Sequence, residues 1–429
     1  MSKNDRIKES MKQTRERHAR MVCRVFEVKI VRGKLSCEKR NHLDTLFLEA
    51  KWLRNSELAK GDVSLLDRNA ATVTIKVGNH YEERSLTHLG SQMKQDIIDQ
   101  IKSDIKGLAE AKKKGRKVGK LKFKSYCNSV PLRQFGNTFR IDFKKSLIFI
   151  QAFKKPFKVR GLSQLPEGCE IANAKLIRKP SGYYFHITTY SEPEPRVPTG
   201  AICGLDFGIK TNLITSDGDK YNISVSESHA VKVASKRLNK AHKRNGGAKS
   251  KNHKKRKAVL RRAYERQNNR KTDKANKVVH KLLDEYDLVA IQDEIIVSWH
   301  HGVFGKQVQH SAMGYIKAKL KNSSKVIVVP RSFPSTQKCP VCGLNTKHPL
   351  SKRSYDCAHC GYHHPDRDVK AAELVLTEAL ETASNDNVSL ERRTQSPVET
   401  TPSDCCSGSS FADHIVFKVP SAKQEAQVL

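Results

Sequence analysis

The sequence predicts an α/β protein with more than one domain, in which a small β-barrel with a helical lobe precedes a second α/β domain with an inserted zinc ribbon. Three features predict this arrangement. Short strands alternate with two long helical segments before residue 190, a proline-rich linker follows, and two C-x-x-C pairs occur after residue 338. The 429 residues are enough for two or three domains with separate hydrophobic cores.

The charge of the chain indicates a polyanionic partner. It has 80 Lys and Arg against 44 Asp and Glu, which gives a formal net charge of +36. Nucleic acid is favoured over a membrane surface, because the apolar positions of the basic helices are typical of a protein core. No run of about eighteen apolar residues is present, so no membrane-spanning segment is predicted.

Two stretches concentrate the positive charge. Residues 112–124 contain no acid, and residues 232–281 contain 20 Lys or Arg with two acids, Glu265 and Asp273. A single stretch of this kind is usually a solvated helix face, but two without balancing acids favour contacts with phosphates. The candidate contacts are Lys112, Lys113, Lys114, Arg116, Lys117, Lys254, Lys255, Arg256, Arg261 and Arg262.

The first part of the chain is predicted to be a flexible basic arm followed by a barrel. Residues 1–20 are polar and charged, which indicates the arm. The alternating segment 22–31 predicts a strand. Apolar positions recur every three or four residues in 36–59, which predicts a helix, and a second helix is predicted at 87–111.

Short strands follow between residues 123 and 190. The tripeptide "PSG" separates the segments 170–179 and 183–190 and indicates a β-hairpin. Strands interrupted by a helical insertion predict that residues 21–190 form a small β-barrel with a helical lobe.

The proline-rich segment 191–200 is predicted to be a linker to the second domain, 201–383. That domain is predicted to contain a strand, a hairpin, long basic helices, a strand, a helix, a strand, the zinc ribbon and a last helix. Residues 384–429 are rich in Ser, Thr and Asn and have little apolar periodicity, so a disordered tail is predicted there.

Four cysteines predict a structural zinc site. Cys339 and Cys342 form one C-x-x-C pair and Cys357 and Cys360 form another, a pattern typical of a zinc ribbon at about 335–364. Two disulfides in a secreted protein are the alternative. Eleven cysteines and the lack of an apolar signal segment favour a reducing, cytoplasmic location. A zinc ion with four thiolates cannot activate water, so any catalysis is expected elsewhere.

Acidic side chains occur where predicted strands end or helices begin. Asp206 ends an apolar strand, Asp293 and Glu294 follow another, and Asp366 and Asp368 begin the last predicted helix. Each acid alone could be a helix cap or a turn residue. Together they predict a site for two Mg²⁺ ions, which would hydrolyse a phosphodiester and differ from the metal bound by the cysteines.

These motifs resemble those of a known family. The segments "GLDFGIKTNLIT", "LVAIQDEIIVSWH" and "DRDVKAAELVL", together with the paired cysteines, are similar to the three RuvC motifs and the zinc ribbon of the TnpB nucleases. The resemblance is specific over roughly 200–380 and looser over 20–190. It implies an RNase H-like (RuvC) nuclease domain that follows a wedge β-barrel with a helical recognition lobe.

The resemblance also implies a catalytic triad of acids that bind the Mg²⁺ ions. Asp206 matches the first acid and Asp368 the third. Glu294 is chosen as the second, with Asp293 as the alternative, while other members place the acid where this chain has Gln292. The family has Asn where this chain has Lys370, two residues after Asp368.

The function implied by the resemblance is that of an RNA-guided DNA endonuclease. A guide RNA would pair with double-stranded target DNA beside a short flanking motif, in the cytoplasm of a prokaryote and on its nucleoid. A miniature type V CRISPR effector, a guided repressor without cleavage and a DNA-joining transposase are the alternatives. The sequence predicts neither the guide, the flanking motif nor the oligomeric state.

Overall fold

The structure is a computed structural model that describes residues 3–113, 115–193, 197–244, 250–349 and 351–385. The candidate contact Lys114 and residues 386–429 of the predicted tail lie outside the described residues. The chain divides into two compact units, and the division falls after Pro193.

The first unit combines a strand-rich part with two long helices. Its elements in chain order are α1 (Lys3–Arg20), β1 (Val22–Ile30), α2 (Cys37–Ala59), β2 (Thr72–Val77), β3 (His80–Ser85), α3 (Ser91–Lys113), β4 (Ser129–Leu132), β5 (Phe139–Asp142), β6 (Leu147–Ile150), β7 (Phe157–Arg160), β8 (Glu170–Lys179) and β9 (Gly182–Ser191).

Seven strands of this unit form a nearly closed barrel. Their order is β4-β8-β9-β1-β7-β6-β5, so β4 and β5 are the outer strands. These two strands are joined by residues 133–138, which can span at most about 25 Å. In a flat sheet the outer strands would lie about 29 Å apart. The sheet must therefore curl, which brings β4 and β5 toward each other.

The helical lobe differs from the sequence prediction where its second helix begins. The helix α3 begins at Ser91, whereas the sequence predicted residue 87. The buried carboxylate of Glu49 accepts hydrogen bonds from the backbone N–H groups of Thr87, His88 and Leu89, at 3.1, 2.8 and 3.0 Å. Because a distant side chain satisfies these donors, the three residues form an ordered loop before the helix.

Residues 3–20, predicted to be a flexible arm, instead form the helix α1. The ring of His18 stacks on Tyr190 at 3.7 Å between centroids, and Arg17 and His18 both lie 3.0 Å from a carboxylate oxygen of Glu170. These contacts hold the end of the helix against β8 and β9, an interaction that the polar sequence of the arm did not indicate.

The second unit contains a five-stranded sheet, basic helices and the four-cysteine segment. Its elements are β10 (Ile202–Asp206), β11 (Leu213–Thr215), β12 (Lys220–Tyr221), α4 (His229–Arg244), α5 (Lys251–Glu285), β13 (Leu288–Gln292), α6 (Gly305–His310), α7 (Met313–Lys321), β14 (Val326–Val329), β15 (Tyr355–Asp356), β16 (His363–His364) and α8 (Arg367–Asn385).

The sheet of this unit is mixed. Its order is β12-β11-β10-β13-β14, with β10, β13 and β14 parallel and β11 and β12 antiparallel to their neighbours. The helix α8 packs directly on β10, where a Cβ added at Gly204 would overlap the backbone carbonyl of Ala372. Only glycine allows this approach, which brings the end of β10 close to the start of α8.

The helices α4 and α5 form a basic hairpin. Val231, Ala234 and Leu238 of α4 pack against Leu260 and Ala263 of α5 in a small apolar core. Most Lys and Arg side chains of α5 are exposed. Among the described residues, no helix has both the length and the apolar character needed to cross a bilayer.

Candidate active site

Three acids meet at one edge of the five-stranded sheet. Asp206 is the last residue of β10, and Glu294 follows the end of β13 by two residues. Because β10 and β13 are parallel, their carboxyl ends lie at the same edge. Asp368 lies in the first turn of α8, which packs on β10.

The three carboxylates interact electrostatically. Burial, with further contributions from the charges of Asp368 and Glu294, raises the pKa of Asp206 to about 8, although Arg367 acts in the opposite direction. In the part of the chain that the structure describes, only the four cysteines bring three or more metal-ligating atoms within 4.8 Å of one another. The acids are therefore near neighbours but less tightly gathered than the sulfur atoms.

Asp293 pairs with two lysines. Its carboxylate lies 2.9 Å from the ammonium of Lys317 and 2.5 Å from that of Lys321, both on α7. Hydrogen bonds from these lysines lower the pKa of Asp293 to about 2. The charge of Glu294, in contrast, acts on Asp206. Asp293 is thus paired with α7, and Glu294 remains the predicted second acid.

Asp366 has a local structural role. Its carboxylate accepts the backbone N–H groups of Asp368 and Val369 at 3.0 and 3.4 Å, which caps the helix α8. It also lies 2.5 Å from the ammonium of Lys220 on β12. Asp366 thus fixes the first turn of α8, where Asp368 lies.

The acid cluster has the donor set that suits Mg²⁺. Three carboxylates offer oxygen ligands, and their mutual repulsion is relieved when a divalent cation binds between them. Asp368 is partly neutralised by Arg353, whose guanidinium lies 3.2 Å away, and Arg367 lies at 3.8 Å. Arg353 belongs to the segment between the two cysteine pairs, so that segment contacts one member of the acid cluster directly.

The four cysteines are arranged for a tetrahedral metal ion. The sulfur atoms of Cys339 and Cys360 lie 3.6 Å apart, as do those of Cys342 and Cys357. Zn–S bonds of about 2.3 Å in a tetrahedron give sulfur separations close to 3.8 Å. A backbone hydrogen bond from Cys360 lowers the pKa of Cys357, which favours the thiolate that zinc requires.

Each cysteine pair is followed by a glycine turn. Gly343 and Gly361 have φ of 74° and 73°, in the left-handed region. Their N–H groups donate to the carbonyls of Cys339 and Cys357 at 3.0 and 3.1 Å. The backbone thus wraps around each side of the cluster, and the four-cysteine segment can bind a structural zinc.

The adjacent histidines make other contacts. The ring of His363 lies 2.5 Å from a carboxylate oxygen of Asp356, and the ring of His364 accepts the backbone N–H of Asp366 at 3.1 Å. Both histidines therefore contact acidic residues or the backbone near the ribbon.

The candidate phosphate contacts that the structure describes are all exposed. Lys112, Lys113, Arg116 and Lys117 lie at and after the end of α3, and the others lie along α5. Arg256 is less available for a phosphate, because its guanidinium donates to the carbonyl of Arg237 at 3.0 Å. The exposed candidates on α5 are Lys254, Lys255, Arg256, Arg261 and Arg262.

Comparisons with known proteins give two family matches, which together lie between residues 185 and 375. Residues 185–298 match a family described as "Probable transposase" (OrfB_IS605), a range that includes Asp206 and Glu294. Residues 312–375 match a family described as "Cas12f1-like, TNB domain", a range that includes the four cysteines and Asp368.

A curated protein of Streptomyces pristinaespiralis named "Putative RNA-guided DNA endonuclease" is 28% identical over 235 residues. The match covers 53% of this chain and 57% of that relative, so the chain spans little more than half of the relative's length. The two family matches and this relative agree with the resemblance of the sequence motifs to the TnpB nucleases.

Proposed function

We propose that the protein is a Mg²⁺-dependent, RNA-guided DNA endonuclease with a RuvC-like active site. The main support is the convergence of Asp206, Glu294 and Asp368 at one sheet edge, where burial and their mutual repulsion raise the pKa of Asp206. The strand order and directions of the sheet also support an RNase H-like fold for residues 201–383. The name of the Streptomyces relative supports the same activity.

In this proposal Asp206, Glu294 and Asp368 hold the catalytic cations, two Mg²⁺ ions in the usual mechanism. Bound Mg²⁺ would activate the attacking water and stabilise the leaving oxygen of the phosphodiester. Asp366 holds the first turn of α8, and Arg353 offsets the charge of Asp368 until a cation takes that role. The zinc ribbon serves as a scaffold beside the site, since its four thiolates leave no position for water.

Sequence specificity is proposed to come from a guide RNA that pairs with the target DNA. The protein would bind the RNA and the DNA mainly through phosphates, for which the exposed basic residues of α5 and Lys112, Lys113, Arg116 and Lys117 are suited. The first unit, as wedge barrel and recognition lobe, would read at most a short flanking motif. Its place of action would be the nucleoid in the bacterial cytoplasm.

DNA joining by a transposase is the second candidate, because one family match carries that description. RNA dependence distinguishes the two candidates, since a transposase that reads DNA directly needs no guide. A miniature CRISPR effector would have the same site and differ in the origin of its guide.

The catalytic part of the proposal is tested with Asp206→Ala and Asp368→Ala in the full chain with its RNA. Each variant should lose Mg²⁺-dependent cleavage by at least about 100-fold while target binding persists, because each removes a metal ligand and no phosphate contact. Cleavage at the wild-type rate by either variant would refute the assignment of that acid.

A further inference from the structure

A short segment connects the zinc ribbon with the acid cluster. Residues 330–338, here called the strap, run from the end of β14 to the first cysteine of the ribbon. Two buried side chains of the second unit hold the strap through hydrogen bonds to its backbone. Gln292 holds its first half and Lys370 its second half.

Gln292 makes four hydrogen bonds to the strap. Its side-chain N–H₂ group donates to the carbonyls of Phe333, Arg331 and Pro330 at 2.5, 3.3 and 3.4 Å, and its carbonyl accepts the hydroxyl of Ser335 at 2.9 Å. The residue is only 5% exposed, so these groups have little access to water. A carboxylate at this position could not donate to the three carbonyls.

Lys370 is fully buried, with 0% of its surface exposed. Its ammonium donates to the carbonyls of Lys338 and Thr336 at 2.8 and 3.2 Å and lies 3.8 Å from the centroid of the Tyr355 ring. Tyr355 in turn donates its hydroxyl to the carbonyl of Gln337 at 3.0 Å. A buried ammonium is unfavourable unless its donors are satisfied, and here the strap backbone and the ring satisfy them.

Each of these two residues is two positions from one of the acids in the sequence. Gln292 precedes Glu294 by two residues, and Lys370 follows Asp368 by two residues in the first turn of α8. The strap ends at Lys338, next to Cys339. A metal ion bound by Cys339 would therefore restrain the strap. The backbone of the strap is hydrogen-bonded to Gln292 and Lys370, each of which lies two residues from an acid.

We propose that Gln292 and Lys370 are positioning residues that couple zinc binding in the ribbon to the separation of Glu294 and Asp368, and so to the affinity of the acid cluster for divalent cations. This inference rests on the proposed function, because it takes the acids to be metal ligands. Groups that orient metal ligands typically contribute about 10–100-fold to metal affinity. Coupling between two binding sites is reciprocal, so the acid-site cation should also favour zinc retention.

The test measures Mn²⁺ binding to the RNA-free full-length protein by electron paramagnetic resonance, with zinc content determined for each sample. Mn²⁺ replaces Mg²⁺ as the probe, and Asp206→Ala defines the signal from other Mn²⁺ sites. The test variants are Lys370→Met and Gln292→Met, which keep side-chain length but remove the donors to the strap.

Lys325→Met is the matched control. Lys325 also donates to two backbone carbonyls, those of Leu283 and Tyr286 at 2.7 and 3.2 Å. It precedes β14 and so lies at the opposite edge of the sheet from the acids. Its loss should lower stability without a change of more than about twofold in Mn²⁺ affinity.

With one zinc per chain, each test variant should bind Mn²⁺ at least about tenfold more weakly than wild type. Removal of zinc should weaken Mn²⁺ binding of the wild type to a similar extent and of the variants much less. Wild-type Mn²⁺ affinity in both zinc-loaded variants would overturn the proposal. If Lys370→Met loses its zinc, Gln292→Met alone decides the result in the same way.

Different results would contradict the proposed function and the positioning role of Gln292 and Lys370. Equal Mn²⁺ binding by wild type and Asp206→Ala would show that the acids hold no cation, which contradicts the proposed function. An Asp206-dependent Mn²⁺ site that does not respond to zinc or to either strap variant contradicts the positioning proposal alone.

Discussion

The charge of Asp368, at the start of α8, helps to raise the pKa of Asp206, at the end of β10. The two acids are far apart in sequence and meet because α8 packs on the glycine of β10. The fold thus holds carboxylates together at a cost in stability that a divalent cation can offset.

The first prediction concerns stability without metal. Since the pKa of Asp206 in the folded chain is about 8, against about 3.8 in the unfolded chain, its ionisation opposes folding. The contribution is absent below pH 4 and grows as the pH rises toward 8. Asp206→Asn should therefore raise the free energy of unfolding by about 1–3 kcal/mol at pH 7 in EDTA.

Thermal unfolding as a function of pH checks this prediction. The wild type should lose stability between pH 4 and 8 relative to Asp206→Asn, and Mg²⁺ should stabilise the wild type but not the variant. A variant less stable than wild type in EDTA at pH 7 would show that Asp206 is not under electrostatic strain.

The second prediction separates neighbouring acids. Glu294→Ala should reduce cleavage by at least about 100-fold, while Asp293→Ala should stay within about threefold of wild type. Asp293 pairs with Lys317 and Lys321 on α7, so its loss should affect stability more than cleavage. Single-turnover cleavage of a bound target measures both, and the reverse order of effects would reassign the second acid to Asp293.

These acids also show what the sequence could predict. Strand and helix patterns placed Asp206, Asp293 and Glu294 at strand ends and Asp368 at a helix start, and the resemblance to the TnpB nucleases proposed Asp206, Glu294 and Asp368 as the triad. The pairing of Asp293 with lysines of α7 depends on the position of that helix, which the sequence did not indicate. The roles of Gln292 and Lys370 depend on bonds to the strap backbone, which carry no residue-type signal.

In the first unit, too, contacts between distant residues limited the sequence prediction. The apolar period predicted the bounds of α2 closely. Glu49, on the buried side of α2, accepts hydrogen bonds from a loop about 40 residues away, and because of this loop α3 begins later than predicted. The contact of His18 with Tyr190 orders a segment whose composition indicated flexibility. Both differences come from pairs of residues that are distant in sequence.

The third prediction concerns zinc. The purified protein should contain about one zinc per chain, bound by Cys339, Cys342, Cys357 and Cys360. Cys342→Ser should lower the zinc content and the melting temperature and reduce cleavage, because the strap is no longer fixed. Elemental analysis and a cleavage assay check this, with Cys23→Ser, an exposed cysteine of the first unit, as the control. Full activity without zinc would contradict a structural role.

The fourth prediction concerns the basic face of α5. Replacing Lys254, Lys255 and Arg262 with Gln should weaken nucleic-acid binding similarly for all sequences and reduce the salt slope by roughly one unit for each lost contact. Lys277→Gln should have a smaller effect, because Asp273 lies 2.9 Å from that ammonium and already balances it. Nucleic-acid affinity is measured over a range of salt concentrations. A changed sequence preference of the triple variant with an unchanged salt slope would contradict phosphate contacts by these residues.

The central claim is that a bound RNA selects the site that the acid cluster cuts, and a plasmid-library cleavage assay tests it most directly. Purified protein is freed of RNA, then assayed alone, with its co-purifying RNA, and with that RNA carrying a replaced guide segment. The account predicts no site-specific cleavage without RNA, cleavage at one site with the native RNA, and redirection by the new guide. Site-specific cleavage by the RNA-free protein would contradict it and favour a nuclease or transposase that reads DNA directly.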